Sequence, residues 1–98
     1  MNWNCDKCCN DCIAACEKCL IQCEKDGNTE CAKLCKDCIE CCKLCISLSA
    51  NWSKFYKDAC MLCCTVCEEC AASCRDNGYE ECAKACEQCK IETKECCK

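Results

Sequence analysis

The chain has 98 residues, enough for one domain, and carries 24 cysteines, two glycines, no proline and no histidine. Its net charge of −4 comes from interleaved acidic and basic residues, as in Cys23-Glu24-Lys25-Asp26. These read as solvated helix faces and exclude a basic nucleic-acid patch, while no apolar run approaches the ~20 residues of a membrane span.

The first predicted helix covers roughly 3–25. It is capped near Asn2 or Asn4, with Asp6 in the first turn beside the positive end of the dipole. Its cysteines stand at Cys5, Cys9, Cys12, Cys16, Cys19 and Cys23, with Cys8 one step off that series. Alternating gaps of four and three place all six on one stripe of a helix that turns once per ~3.6 residues. Ile13, Leu20 and Ile21 flank the stripe and are expected against a neighbouring helix or a second subunit. Asp26-Gly27-Asn28 signals a turn, Gly27 suiting a left-handed helix end.

The second helix, about 29–48, carries Cys31, Cys35, Cys38, Cys42 and Cys45, with Cys41 off the stripe. Trp52, Phe55 and Tyr56 follow and, with Trp3, are expected to build a hydrophobic plug at one end. The third helix, about 52–75, carries Cys60, Cys63, Cys67, Cys70 and Cys74, with Cys64 off the stripe. Asp76-Asn77-Gly78 closes it, and Asn77 with Glu80 resembles a capping box. The fourth, about 79–97, carries Cys82, Cys86, Cys89 and Cys96, with Cys97 off the stripe and Thr93 on it.

The two halves are the same hairpin written twice. A shift of 51 carries Cys9, Cys12, Cys16, Cys19 and Cys23 onto Cys60, Cys63, Cys67, Cys70 and Cys74, and Gly27 onto Gly78. It also carries Cys31, Cys35, Cys38 and Cys45 onto Cys82, Cys86, Cys89 and Cys96. Two such hairpins predict an all-α protein, an antiparallel four-helix bundle in a single domain, 1–98, with a Cys-lined core. Folding each hairpin brings Cys23 to Cys31, Cys19 to Cys35, Cys16 to Cys38 and Cys12 to Cys42. In the second it brings Cys74 to Cys82, Cys70 to Cys86 and Cys67 to Cys89.

In an ordinary bundle these stripes would be Leu, Ile and Val. Cysteine in those positions weakens helix by up to ~0.5 kcal/mol per residue against alanine, so a bland core reading fails for the stripes as a whole. Thiolates without histidine or carboxylate select soft ions. Charge balance then favours Cu(I). A monovalent ion between bridging thiolates tends to about one copper per sulfur and leaves the interior neutral, whereas a tetrathiolate Zn²⁺ site keeps a net charge that no residue on the stripes offsets. All 24 cysteines are accordingly candidate ligands.

The runs Cys9-Asn10-Asp11-Cys12-Ile13-Ala14-Ala15-Cys16-Glu17-Lys18-Cys19, Cys42 to Ser49, Cys67-Glu68-Glu69-Cys70-Ala71-Ala72-Ser73-Cys74 and Glu81-Cys82-Ala83-Lys84-Ala85-Cys86-Glu87-Gln88-Cys89 resemble the four-helix-bundle copper storage proteins. The resemblance spans Cys5 to Cys97. It implies storage of many Cu(I) ions inside the bundle and no catalysis, with a copper chaperone or low-molecular-weight thiol as donor and a homo-oligomer allowed. Members often carry histidine near the hairpin end or methionine at the tube mouth. Here the only methionines are Met1 and Met61, and Cys8, Cys35, Cys41, Cys45 and Cys64 stand where other residues would be expected, which implies a higher capacity or an engineered variant of the pattern.

Metal is expected to enter past Gly27 and Gly78, meeting Cys23, Cys31, Cys74 and Cys82 first. The start lacks a basic n-region and an apolar h-region, so a cytoplasmic protein is expected, or else the mature form of an exported one. Competing readings are a zinc or cadmium metallothionein-like buffer, saturating near one ion per four thiolates, and a disulfide-stapled helical structural protein. With cysteines repeated rather than singular, none is marked as a nucleophile or as part of an iron–sulfur enzyme.

Overall fold

The computed structural model describes residues 5–97. Four helices follow one another: α1 (Asp6–Asp26), α2 (Thr29–Ala50), α3 (Tyr56–Asp76) and α4 (Glu80–Cys96). Each packs against its two neighbours in a closed ring, α1 beside α2 and α4, and α3 beside α2 and α4. The result is an antiparallel bundle, an elongated body of 42 × 19 × 17 Å. Trp3 and the expected caps Asn2 and Asn4 lie outside the described residues. Cys5 occupies the N-cap position of α1.

The hairpin turns are built alike. Gly27 adopts φ 71°, and the Asn28 amide returns to the Cys23 carbonyl at 2.8 Å. Gly78 adopts φ 81°, and the Tyr79 amide returns to the Cys74 carbonyl at 2.8 Å. Both close a helix through a left-handed residue that favours glycine. The starts of α2 and α4 differ. The Asn28 side chain accepts from the Cys31 amide at 3.2 Å, a true N-cap. Its repeat-mate Tyr79 offers no such bond and donates its hydroxyl to Asp26 at 2.7 Å instead. Asn77, expected to cap α4, turns back and donates to the Ser73 carbonyl at 2.7 Å, satisfying a carbonyl at the end of α3.

The α2–α3 connection departs from the sequence reading. Helix α3 begins at Tyr56 rather than near 52, and the residues before it form a tight turn in which Ser53 donates to the Leu48 carbonyl at 3.0 Å and Trp52 sits at φ 50°. The turn throws Trp52 outward, 91% exposed, and leaves Phe55 56% exposed beneath the Lys54 ammonium. Neither is a plug. Tyr56 alone turns inward. Its hydroxyl accepts from the Cys5 amide at 3.1 Å and donates to Cys96 Sγ at 3.6 Å.

The core is sulfur. Every stripe cysteine from Cys5 to Cys96 is buried, joined by Ala32, Ala59, Ala71, Ala83 and Ile39. Ile13 and Leu20 pack on this cluster as expected, whereas Ile21 is exposed. Thr93, the one non-cysteine on a stripe, is buried and donates to the Cys89 carbonyl at 2.7 Å. No helix of the described residues is long and apolar enough to cross a membrane.

Candidate metal centre

The stripes of all four helices converge on the bundle axis, so thiols from different helices meet. Cys12 lies 3.5 Å from Cys38, Cys38 3.6 Å from Cys67 and Cys42 3.7 Å from Cys63. Diagonal helices also meet: Cys19 is 3.8 Å from Cys74, and Cys42 is 3.9 Å from Cys89. The sequence reading paired thiols within each hairpin. The convergence on the axis was expected from the Cys-lined core, but the diagonal pairs were not, and they follow from the small size of cysteine, since bulkier side chains would hold diagonal helices apart.

Thiols that could share an ion form groups whose sulfurs lie within 4.8 Å of one another. Cys9, Cys42, Cys63 and Cys89 form one; Cys12, Cys38, Cys42 and Cys67 a second; Cys12, Cys16, Cys38 and Cys86 a third; Cys16, Cys70, Cys82 and Cys86 a fourth. Each shares members with the next, so they make one continuous ladder. Cys19, Cys23, Cys31 and Cys35 form a further group at the hairpin end, joined to the rest through Cys74, which lies 3.8 Å from both Cys19 and Cys31 and 4.0 Å from Cys70. At a metal–sulfur bond of about 2.3 Å, two sulfurs on one ion stand no more than about 4.6 Å apart, so this donor set fits soft ions after small adjustments. Among the described residues Thr93 is the only buried polar or charged side chain, so no cation stands inside to balance isolated tetrathiolate sites.

Without metal the sulfurs share protons. The Cys12 thiol is held far below its ordinary value by the neighbouring thiols of Cys16, Cys38, Cys42 and Cys67, whereas Cys16 and Cys42 are held far above theirs, chiefly by their bonds to Cys12. Cys35 is drawn down to about 4 by hydrogen bonds from Cys16, Cys70 and Cys74. Loading the ladder with cations must release the protons these thiols carry.

The off-stripe cysteines separate into two kinds. Cys8 is buried and donates to the Cys5 carbonyl at 3.2 Å; Cys41, Cys64 and Cys97 are half-buried. Burial pushes the Cys41 thiol up to about 11. Unfolded, it would titrate near ~8.5. A raised folded value stabilises the fold fully below the unfolded one, and that contribution fades as pH rises toward the folded one. The reduced metal-free protein is therefore expected to lose melting temperature between roughly pH 8.5 and 11 more steeply than its Cys41→Ser variant, as thermal scans across that range would read.

One sequence expectation is corrected for the metal-free chain. Cys5 and Cys96 are joined as a disulfide, so neither offers a thiolate until reduced; the remaining 22 cysteines are free. The N-cap residue of α1 and the last residue of α4 both meet the Tyr56 hydroxyl, which sets the two sulfurs together. A thiol titration under denaturing, non-reducing conditions is expected to find two fewer thiols than one after reduction. The 22 free thiols also argue against a disulfide-stapled framework. Cys23, Cys31, Cys74 and Cys82, expected to meet incoming metal first, are buried like every other stripe cysteine, and Tyr79 packs over the sulfur cluster at that end.

Comparisons with known proteins agree with this architecture. The sequence model of the copper storage protein family matches residues 2–98. The apo form of copper storage protein 3 from Bacillus subtilis is similar at 32% identity over 96% of each chain, with a TM-score of 0.88. The Cu(I)-bound copper storage protein BsCsp3 is similar at 30% identity, covering 93% of this chain and 92% of that one, with a TM-score of 0.86. No curated protein sequence matches the chain.

Proposed function

Because the chain belongs to the copper storage protein family, we propose that its bundle interior is a high-capacity store that takes up Cu(I) on thiolates, about one ion per available sulfur at saturation. The observation that carries this reading is the sharing of Cys12, Cys16, Cys38, Cys42 and Cys86 between adjoining groups. Spacing alone would suit zinc. A shared sulfur, however, must bridge, and bridging thiolates around monovalent ions keep a dry interior near neutrality. Isolated Zn²⁺ tetrathiolates would each leave a double negative charge with no buried cation beside it. The role is sequestration without catalysis, in the cytoplasm. A copper chaperone or a low-molecular-weight thiol supplies the ion, and copies of the chain can associate.

The test is an anaerobic titration of the fully reduced protein with Cu(I) against a coloured competing chelator, with thiols counted first. Uptake continuing until copper and thiol are roughly equal supports the reading. Saturation near one ion per four thiols, or tighter binding of zinc than of Cu(I), would point to a zinc or cadmium buffer instead.

A further inference from the structure

Each helix carries one pair of adjacent cysteines: Cys8-Cys9, Cys41-Cys42, Cys63-Cys64 and Cys96-Cys97. One member of each pair, Cys9, Cys42, Cys63 or Cys96, lies on a stripe and is buried. Cys41, Cys64 and Cys97 are the only half-buried cysteines among the described residues; all others are buried. All four pairs lie in the half of the bundle nearer Tyr56. Cys9, Cys42 and Cys63 converge with Cys89 in a single four-thiol group of the linked ladder. Cys41 and Cys97 pack against the sulfur core from outside it. Cys97, whose neighbour Cys96 is bonded to Cys5, donates to the Lys57 carbonyl of α3 at 3.6 Å. Cys41 of α2 is one residue from Cys42, a member of that group.

From these positions we infer that Cys41, Cys64 and Cys97 form a receiving belt, which takes Cu(I) from a thiol-type donor at the sides of the bundle and passes it inward to the Cys9, Cys42, Cys63 and Cys89 group. The inference rests on the copper-storage reading and adds the route. It places uptake at the sides of the Tyr56 half rather than along the axis at Gly27 and Gly78. Each transfer is a ligand exchange. A copper–sulfur bond to the donor breaks as one to Cys64 or Cys41 forms. The receiving thiol gives its proton to the departing donor sulfur or to water, and copper stays cuprous throughout. In the next exchange Cys63 or Cys42 takes the ion and the outer sulfur is reprotonated. A thiol the donor can touch is the kinetic requirement, and buried thiols do not meet it.

The test uses the reduced full-length chain under anaerobic conditions. Copper is supplied as a Cu(I) complex of a coloured chelator, and the loss of colour is followed after rapid mixing. The Cys41→Ser, Cys64→Ser, Cys97→Ser variant is expected to load about tenfold more slowly while losing no more copper than its missing thiols account for. Returning Cys64 alone should restore much of the rate. Brief alkylation of the metal-free native protein, read by mass spectrometry, should label Cys41, Cys64 and Cys97 before any stripe cysteine. Loading of the triple variant at the wild-type rate, or first labelling at Cys23, Cys31, Cys74 or Cys82, would overturn the belt. Wild-type protein that takes up no copper at all would instead overturn the storage reading, and the labelling experiment still reads accessibility in that case.

Discussion

Saturating the reduced protein with Cu(I) is expected to raise its melting temperature by about 20 °C or more. The metal-free bundle is poorly furnished with large apolar side chains: its buried set is cysteine and alanine with Ile39 and Thr93. Ions that bind the ladder in the folded state cannot find those sulfurs assembled in the unfolded one. A single site a thousandfold above its dissociation constant contributes about 4 kcal/mol, and a domain of this size shifts by about 4–8 °C per kcal/mol. Many linked sites contribute more, so the figure is a floor. The measurement is a thermal scan followed by circular dichroism with and without copper, under reductant. A shift of only a few degrees would place the ions on the surface.

The second large effect concerns the middle of the ladder. Replacing Cys12, Cys38, Cys42 and Cys67 together by alanine should remove at least about four ions of capacity at about one per sulfur. The loss should exceed that number, because Cys12, Cys38 and Cys42 also belong to the adjoining groups. The ladder would then be cut into two halves, each loading independently. Alanine favours helix over cysteine by up to ~0.5 kcal/mol per position, so the metal-free variant should still fold, which circular dichroism would verify. Its melting temperature should rise far less on copper addition than that of the wild type. Unchanged capacity would show that these sulfurs are packing only.

Much of this was legible in the sequence because helical periodicity is local. The gaps between Cys5 and Cys23 name a buried face whatever that face meets, and Thr93 could be placed on the α4 stripe from phase alone. The within-hairpin meetings of Cys19 and Cys23 with Cys31 and Cys35 followed from Gly27. What was not legible depends on the third dimension. The approach of Cys19 to Cys74 and of Cys42 to Cys89 requires knowing how closely diagonal helices stand. The outward swing of Trp52 is decided by a turn that places it at φ 50°, a conformation bulky residues rarely adopt and that composition does not announce. Asn77 could serve either the helix before it or the one after it, and only the fold shows that it serves α3. The Cys5–Cys96 bond joins positions 91 residues apart, whose nearness appears only once the ring of helices closes.

That closure has a consequence. The seam between α1 and α4 is the one that no loop spans, and it is fastened at one end by the Tyr79–Asp26 bond and at the other by Cys5–Cys96. The backbone therefore runs in a near-circle, with Cys5 and Cys96 side by side. Since the halves are copies, a circular permutant whose old ends are joined by a short linker, and whose new ends open in the exposed turn at Asn51–Phe55, would present the same ladder with the hairpins in reversed order. The order in which the two hairpins are synthesised is thus immaterial to what the tube can hold.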